Sequence, residues 1–256
     1  MGSLRNKFPA PARPPGHEVR GAIVKADYQF EAHKNVEILK EGKRRKALIH
    51  AANHPKFTID MDVLPAAAES YQISANPKDY VVVTVPIVTN CVPNRNLQCF
   101  PIEETCHFDP LYGQMVYQTF KYKPTHVDHI NEDPTKAKGI HADASMQYIP
   151  KYDLWKINVL TMWDRSKDPK LIDDILNKRR TGYSMGATVT YFICSICGQI
   201  DTMDQSRCEH MKSIGTLWGP NNRLAMQLCT GVCYFETSNL GNEPADPTAY
   251  SEDIFV

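Results

Sequence analysis

The sequence lacks net charge, long basic blocks, long apolar runs and an apolar leader. Its 29 Lys and Arg residues balance 29 Asp and Glu residues over a 256-residue chain. A neutral chain without a long basic block gives no electrostatic reason to expect a nucleic-acid partner. No apolar stretch approaches the roughly 20 residues of a membrane helix, so no membrane partner is expected. The opening MGSLRNKFPAPARPPGHE has no apolar segment of the kind a secretory signal needs. The eight cysteines are Cys91, Cys99, Cys106, Cys194, Cys197, Cys208, Cys229 and Cys233. Without a leader, a reducing compartment is expected, and cysteines there serve as metal ligands or buried side chains rather than disulfides. No internal repeat is visible.

What is present reads as an α+β domain built mainly on antiparallel strands. Residues 1–16, rich in Pro, Arg and Ala, read as a flexible arm. Val19–Ile23 and Phe57–Val63 read as short strands. DYVVVTVPIVTN (79–90) is the strongest strand signal, with its β-branched run. GIHADASMQYI (139–149) and LWKINVLTMW (154–163) read as further strands. FDPLYGQMVYQTFKYKP (108–124) mixes a short helix with a loop. The clearest helix follows Asp168, which can cap it, with Pro169 in the first turn and Leu171, Ile172, Ile175 and Leu176 on one face. Gly182 is expected to stop it, and TVTYFI (188–193) to form the next strand. The tail 237–256 is polar and proline-punctuated and reads as an extended segment. The domain proper then spans 17–236, with an insertion at 194–210.

Four places could carry chemistry. GYSMG presents Ser184 between Gly182 and Gly186 in what reads as a turn. Small neighbours admit a substrate backbone and free N–H groups for an oxyanion. A turn serine is the plainer reading. KPTHVDHINEDPTKAKG (123–139) supplies His126 and His129 among carboxylates, which suits a general base but also suits a solvated loop. Asp164, at a strand end, could hold an imidazole in one tautomer, or could simply open the DRSKDP turn. The fourth place is CSICGQIDTMDQSRCEH. Cys194 and Cys197 form a C-x-x-C knuckle with Gly198 behind it, and Cys208 and His210 can close a tetrahedron around structural Zn²⁺. Cys229 is a substitute for His210, although Cys229 and Cys233 read first as core. Trp155, Trp163 and Trp218 read as core or interface aromatics, His50 and His54 as exposed or capping histidines, and KEGKRRK (40–46) as a solvated turn.

The order of a strand pair, a loop histidine in H-x-N-x-D-P, a strand ending in Asp, an amphipathic helix and G-x-S-x-G before a strand resembles the prohead maturation proteases of tailed bacteriophages. The resemblance covers about residues 80–250. It rests on PIVTNCVPNRNLQCF, the histidine loop, LTMWDRSKDPKLIDDILNKRRTGYSMGA and SNLGNEPADPTAYS. It implies a barrel like that of the herpesvirus proteases and a serine endopeptidase with His129 as base, Ser184 as nucleophile and Asp164 as orienting acid. It also implies phage scaffold and major capsid proteins as substrates and a location in the host cytoplasm within the prohead. A homo-oligomer is compatible with it. Met185 stands where relatives often carry Arg or an aromatic, so oxyanion stabilisation would fall to Arg179, to Arg180 or to backbone N–H groups. The alternatives are a catalytically inactive homologue serving as a structural head protein, and an unrelated zinc-knuckle interaction protein.

Overall fold

The computed structural model describes residue 57, residues 61–201 and residues 207–255. The expected arm at 1–16, the strand Val19–Ile23, the 40–46 run, His50 and His54 lie outside the described residues. Among those described, fifteen strands run in chain order: β1 Tyr80–Thr89, β2 Gln98–Cys99, β3 Phe108–Asp109, β4 Gln114–Met115, β5 Pro124–Val127, β6 Gly139–Ile149, β7 Leu154–Asp164, β8 Gly182–Thr188, β9 Tyr191–Cys194, β10 Ile200–Asp201, β11 Leu217–Trp218, β12 Arg223–Leu224, β13 Gln227–Thr230, β14 Cys233–Leu240 and β15 Ile254–Phe255. The chain divides into two compact units. One contains Asn90–Val116 and Thr188–Cys233; the other contains Tyr117–Ala187 with the described parts of Ala51–Thr89 and Tyr234–Val256.

The second of these units is built on a seven-stranded sheet in the order β15-β1-β7-β6-β5-β14-β8. The pairs β1/β7, β6/β7, β5/β6 and β1/β15 are antiparallel, while β5 and β14 run parallel. The β-branched run of β1 and the apolar run of β7 are buried along almost their whole lengths. That is why both read so clearly as strands: a central strand, covered on both faces, has no polar face to alternate with. The register slips between Pro86 and Val88, where proline removes a ladder donor, and again between His141 and Asp143.

Two helices pack in this unit. Met61–Val63 is a 3₁₀ turn leading into the helix Leu64–Tyr71, not the end of the expected strand 57–63. Pro65 sits in the first turn and three alanines follow, which favours helix over strand. Leu64, Ala67 and Ala68, at i, i+3 and i+4, bury against Ile73, Tyr80, Ile140, Leu160 and Met162. The helix Pro169–Leu176 forms as expected, with the Asp168 carboxylate accepting the Leu171 N–H at 3.0 Å and Leu171, Ile172 and Ile175 buried. It stops earlier than expected. Lys178 takes the left-handed step at φ 54°, and Gly182 instead opens β8.

Two boundaries therefore move. Ser184 lies within β8 rather than in a turn, and the expected 188–193 strand is β9, beginning at Tyr191. The tail does not begin at 237. Residues 233–240 form one strand, and Thr237, Ser238 and Asn239 are fully buried between β5 and β8.

The first unit holds a four-stranded sheet in the order β10-β9-β13-β2, with β13 and β2 parallel, and the hairpins β3/β4 and β11/β12. Cys99, Tyr191, Ile193, Ile200 and Leu228 form its core. Cys99 and Cys229 are core residues here, as buried thiols usually are.

Candidate active site and metal centre

β5 ends at Val127, and the chain reverses at once: the Ile130 N–H donates to the Val127 carbonyl at 3.0 Å. Asp128 and His129 fill the two central positions with φ of 50° and 58°. Two successive left-handed residues are what a type I′ turn demands, and neither is glycine. Such conformations persist only where the surroundings impose them. Here they do. The Asp128 N–H donates to Asn239 O at 3.0 Å, and the Asp128 carboxylate accepts from Arg180 Nη2 at 2.8 Å and from the Gly241 N–H at 2.9 Å. The His129 N–H donates to Ser238 Oγ at 3.1 Å.

The His129 ring is held as firmly as its backbone. Nδ1 lies 2.8 Å from Glu236 Oε1, and Ser238 Oγ donates to Glu236 Oε2 at 2.9 Å. The Glu236 side chain is 1% exposed and that of His129 is 42% exposed. A carboxylate cannot donate, so Nδ1 carries the proton and Nε2 is the basic nitrogen, left for chemistry outside the pair. His126 Nδ1 stands 3.5 Å from Glu236 Oε2, beyond a good hydrogen bond but within ion-pair range. Burial alone would raise the Glu236 carboxyl; the nearby His126 ring, the hydrogen bonds from His129 and Ser238 and the charge of His129 outweigh it and hold the group at about 2. The bond to Glu236 raises His129 above its ordinary value, against a smaller opposing effect of burial. His141, fully buried at the edge of the Phe120 ring, is pushed down to about 3 by desolvation and stays neutral.

Ser184 belongs to the neighbouring strand. A Cβ at Gly182 would stand 3.9 Å from Leu240 Cβ, and one at Gly186 would stand 2.7 Å from Glu236 Cγ and 2.8 Å from its Oε1. Moving up β8 is thus moving down β14, so the two are antiparallel and the midpoint Ser184 faces Ser238. Directly opposed Cβ atoms lie about 4.5–5.5 Å apart. Side chains two apart share a face, so Ser184 stands on the face where Gly186 covers Glu236. Gly186 is glycine because the carboxylate occupies the space of its side chain.

Asp164 is not the acid on His129. Its Oδ2 accepts the Ser74 N–H at 2.6 Å, and its Oδ1 accepts the Ser166 N–H at 2.8 Å and the Ser166 hydroxyl at 2.7 Å. It opens the turn after β7, the plainer of its two readings. The acid on His129 is Glu236, at a position that a tail starting at 237 had left at the end of the domain. The arginines are committed too. Arg179 pairs with Asp173 and Asp174, and Arg180 with Asp128.

In the other unit, Cys194, Cys197, Cys208 and His210 each turn one ligand atom into a group within 4.8 Å of one another. The Ile196 N–H points at Cys194 Sγ at 3.4 Å, the Gly198 N–H closes on Cys194 O at 2.9 Å, and Gly198 takes φ +74°. This is the knuckle that the sequence predicted. The His210 ring lies edge-on to Trp218 with centroids 4.4 Å apart, which fixes its plane, and its Nδ1 is buried with no hydrogen-bond partner among the described residues. Burial and the neighbouring sulfurs push the Cys197 thiol up to about 12, against a lowering hydrogen bond from the Gln199 backbone. Crowded thiols resist ionisation unless a cation answers their charge, so this donor set fits a soft or borderline metal ion. Cys229 lies in the core and outside the cluster.

No protein family matches the chain, and neither a curated protein nor a solved structure matches it.

The separation of Asp164 from His129 is measurable. Asp164→Ala removes three accepted bonds and should cost about 1–3 kcal/mol of stability in a denaturant titration, while the NMR titration of His129 stays in place. A shift of His129 by a full pH unit in that variant would return Asp164 to the imidazole.

Proposed function

We propose that this chain is a serine endopeptidase of the prohead maturation type, with Ser184 as nucleophile, His129 as general base and Glu236 as the acid that orients the base. The observation that carries the reading is the 2.8 Å contact between His129 Nδ1 and the buried Glu236 carboxylate. It leaves Nε2 basic and aimed away from the carboxylate, as serine catalysis requires. Ser184 Oγ would attack the scissile carbonyl carbon as Nε2 takes its proton. Collapse of the tetrahedral oxyanion returns that proton to the departing amine, and water repeats the sequence on the acyl-enzyme. With Arg179 and Arg180 engaged elsewhere, backbone N–H groups next to Ser184 would meet the oxyanion. Gly182, Gly186 and Ala187 keep β8 small enough for a substrate backbone to approach. The barrel of the herpesvirus proteases and the scaffold and capsid substrates come from the sequence resemblance.

For the cysteine cluster we propose zinc in a structural role. Three sulfurs and one imidazole fill a tetrahedron and leave no open position for substrate. Coordination would supply folding free energy to a loop with little apolar material of its own.

Two measurements decide these readings. A fluorophosphonate should label Ser184, and Ser184→Ala should abolish labelling and peptide cleavage without changing the melting temperature by more than a few degrees. The labelling rate should rise with pH through a midpoint above 6.5, because the base must be neutral and Glu236 favours its cation. Glu236→Gln should lower that midpoint and reduce the plateau roughly 10²- to 10⁴-fold. A wild-type chain labelled at no serine, or equally labelled after Ser184→Ala, ends the peptidase reading. Separately, reductively purified protein should hold one zinc per chain, and Cys197→Ser should lose it together with thermal stability. Metal-free protein with an unaltered melting curve would remove the zinc and leave the serine chemistry untouched.

A further inference from the structure

Arg180 was a candidate for oxyanion stabilisation, and the structure gives it other work. Its Nη2 donates to Asp128 Oδ1 at 2.8 Å and to Asn239 O at 3.1 Å, and its Nε donates to Asn239 Oδ1 at 2.8 Å. Asn239 answers with its amide, donating to Arg180 O at 3.3 Å and Gly182 O at 3.4 Å. Three segments meet at this guanidinium. Asp128 immediately precedes His129. Asn239 follows Ser238, which bonds both the His129 N–H and Glu236. Arg180 itself lies two residues before β8, the strand of Ser184.

We propose that Arg180 is a positioning residue that sets the reach between His129 and Ser184; the proposal rests on the peptidase reading above. A guanidinium is planar and rigid, so bonds to Asp128 and Asn239 at once fix the direction of one relative to the other. The Asp128–His129 turn needs such an anchor, because both residues are left-handed and neither is glycine. Without it the turn relaxes and carries the imidazole with it. On the other side, Arg180 and its carbonyl are clipped to β14 beside the point where β8 begins, which holds the start of the serine strand. Proton transfer from Ser184 Oγ needs Nε2 within about 2.6–3.2 Å, and a displacement of about 1 Å can cost roughly 10²-fold in rate. One side chain thus joins the base's turn to the nucleophile's strand without touching the reacting atoms.

The test uses the full chain and four variants: Arg180→Met, Arg180→Lys, Asp128→Ala and Asp128→Gly. The readouts are the rate of fluorophosphonate labelling at Ser184, the melting temperature, and the ¹⁵N-resolved Nδ1–H resonance of His129. Arg180→Met should slow labelling roughly 10- to 100-fold with melting shifted by only a few degrees, and should weaken or abolish the Nδ1–H resonance through faster exchange. Arg180→Lys should restore little, since an ammonium cannot hold Asp128 and Asn239 together. Asp128→Gly should label faster than Asp128→Ala, because both lose the carboxylate but only glycine accepts the left-handed turn without strain. Wild-type labelling and an unchanged Nδ1–H resonance in Arg180→Met overturn the proposal. So does a loss of labelling that only follows a collapse of the melting temperature. Equal rates in Asp128→Gly and Asp128→Ala also overturn it. A wild-type chain unreactive at Ser184 overturns the peptidase reading instead, and the Nδ1–H resonance then decides alone whether Arg180 holds the turn.

Discussion

Glu236 is an acid buried to 1% exposure on β14, the strand next to the edge strand of its sheet, and such a charge must be answered where it stands. Three neighbours answer it: the His129 ring, the Ser238 hydroxyl and, at longer range, His126. Each answer constrains something else. Ser238 is fully buried and accepts the His129 N–H while it donates to the carboxylate, so ring and backbone of His129 are tied to one anchor. The ring fixes its tautomer on Oε1. Gly186 has no side chain because the carboxylate fills its place. A serine strand, a strained turn and a parallel strand pair are thereby fitted around one ionised group. Removing a single partner would leave a buried charge short of a donor, which costs more than the bond itself contributes.

The sheet topology makes that arrangement possible. β5 and β14 run parallel, with His126 in register with Ser238. β5 therefore delivers its C-terminal turn beside the end of β14, where Ser238, Asn239 and Gly241 accept and donate to it. β8 lies on the far side of β14 and runs the other way, bringing its Gly182 end to the same place. Residues separated by over a hundred positions, such as His129 and Glu236, meet through strand order alone, as non-local sheets allow.

What could be read beforehand followed from local rules. β6 was bounded to the residue by its sequence, β1 and β7 nearly so, and Asp168 capped its helix. The cysteine knuckle was legible because Cys194, Cys197, Cys208 and His210 are close in sequence as well as in space. Errors arose where one residue type serves two ends. Gly182 and Gly186 suggested a turn, yet Gly186 marks a close approach within a strand. Asp164 suggested a triad acid from its place at a strand end, where turn opening needs the same carboxylate. Glu236 stands at the last residue of the expected 17–236 domain, where the sequence turns polar and carries no local mark of a site. The available signal was the alternation of Tyr234, Glu236 and Ser238 on one face of a strand, with a charge where a buried face was forming. The left-handed pair at Asp128 and His129 carries only a faint composition signature: Asp and His enter that region more readily than most side chains, but no glycine or asparagine marks the turn.

The same carboxylate sets a tension between holding the site and using it. Glu236 is held at about 2, so its contribution to stability is full above the ordinary carboxylate value of 4.5 and fades as pH falls from there toward 2. His129 is shifted the other way. Its contribution is full below its ordinary 6.5 and fades as pH rises through the higher folded value. The interval between 4.5 and 6.5 is therefore where this ion pair is tightest. It is also where a general base fails, because an imidazolium cannot take a proton from a hydroxyl. In the proposed peptidase, reactivity would begin as the pair gives up its charge on the histidine side. The neutral ring must then be kept in place by contacts that do not titrate with it: the Nδ1–H bond, which survives deprotonation at Nε2, and the Ser238 hydroxyl on the His129 N–H. A backbone clasp on a strained turn is what allows the imidazole to lose its cation without losing its position.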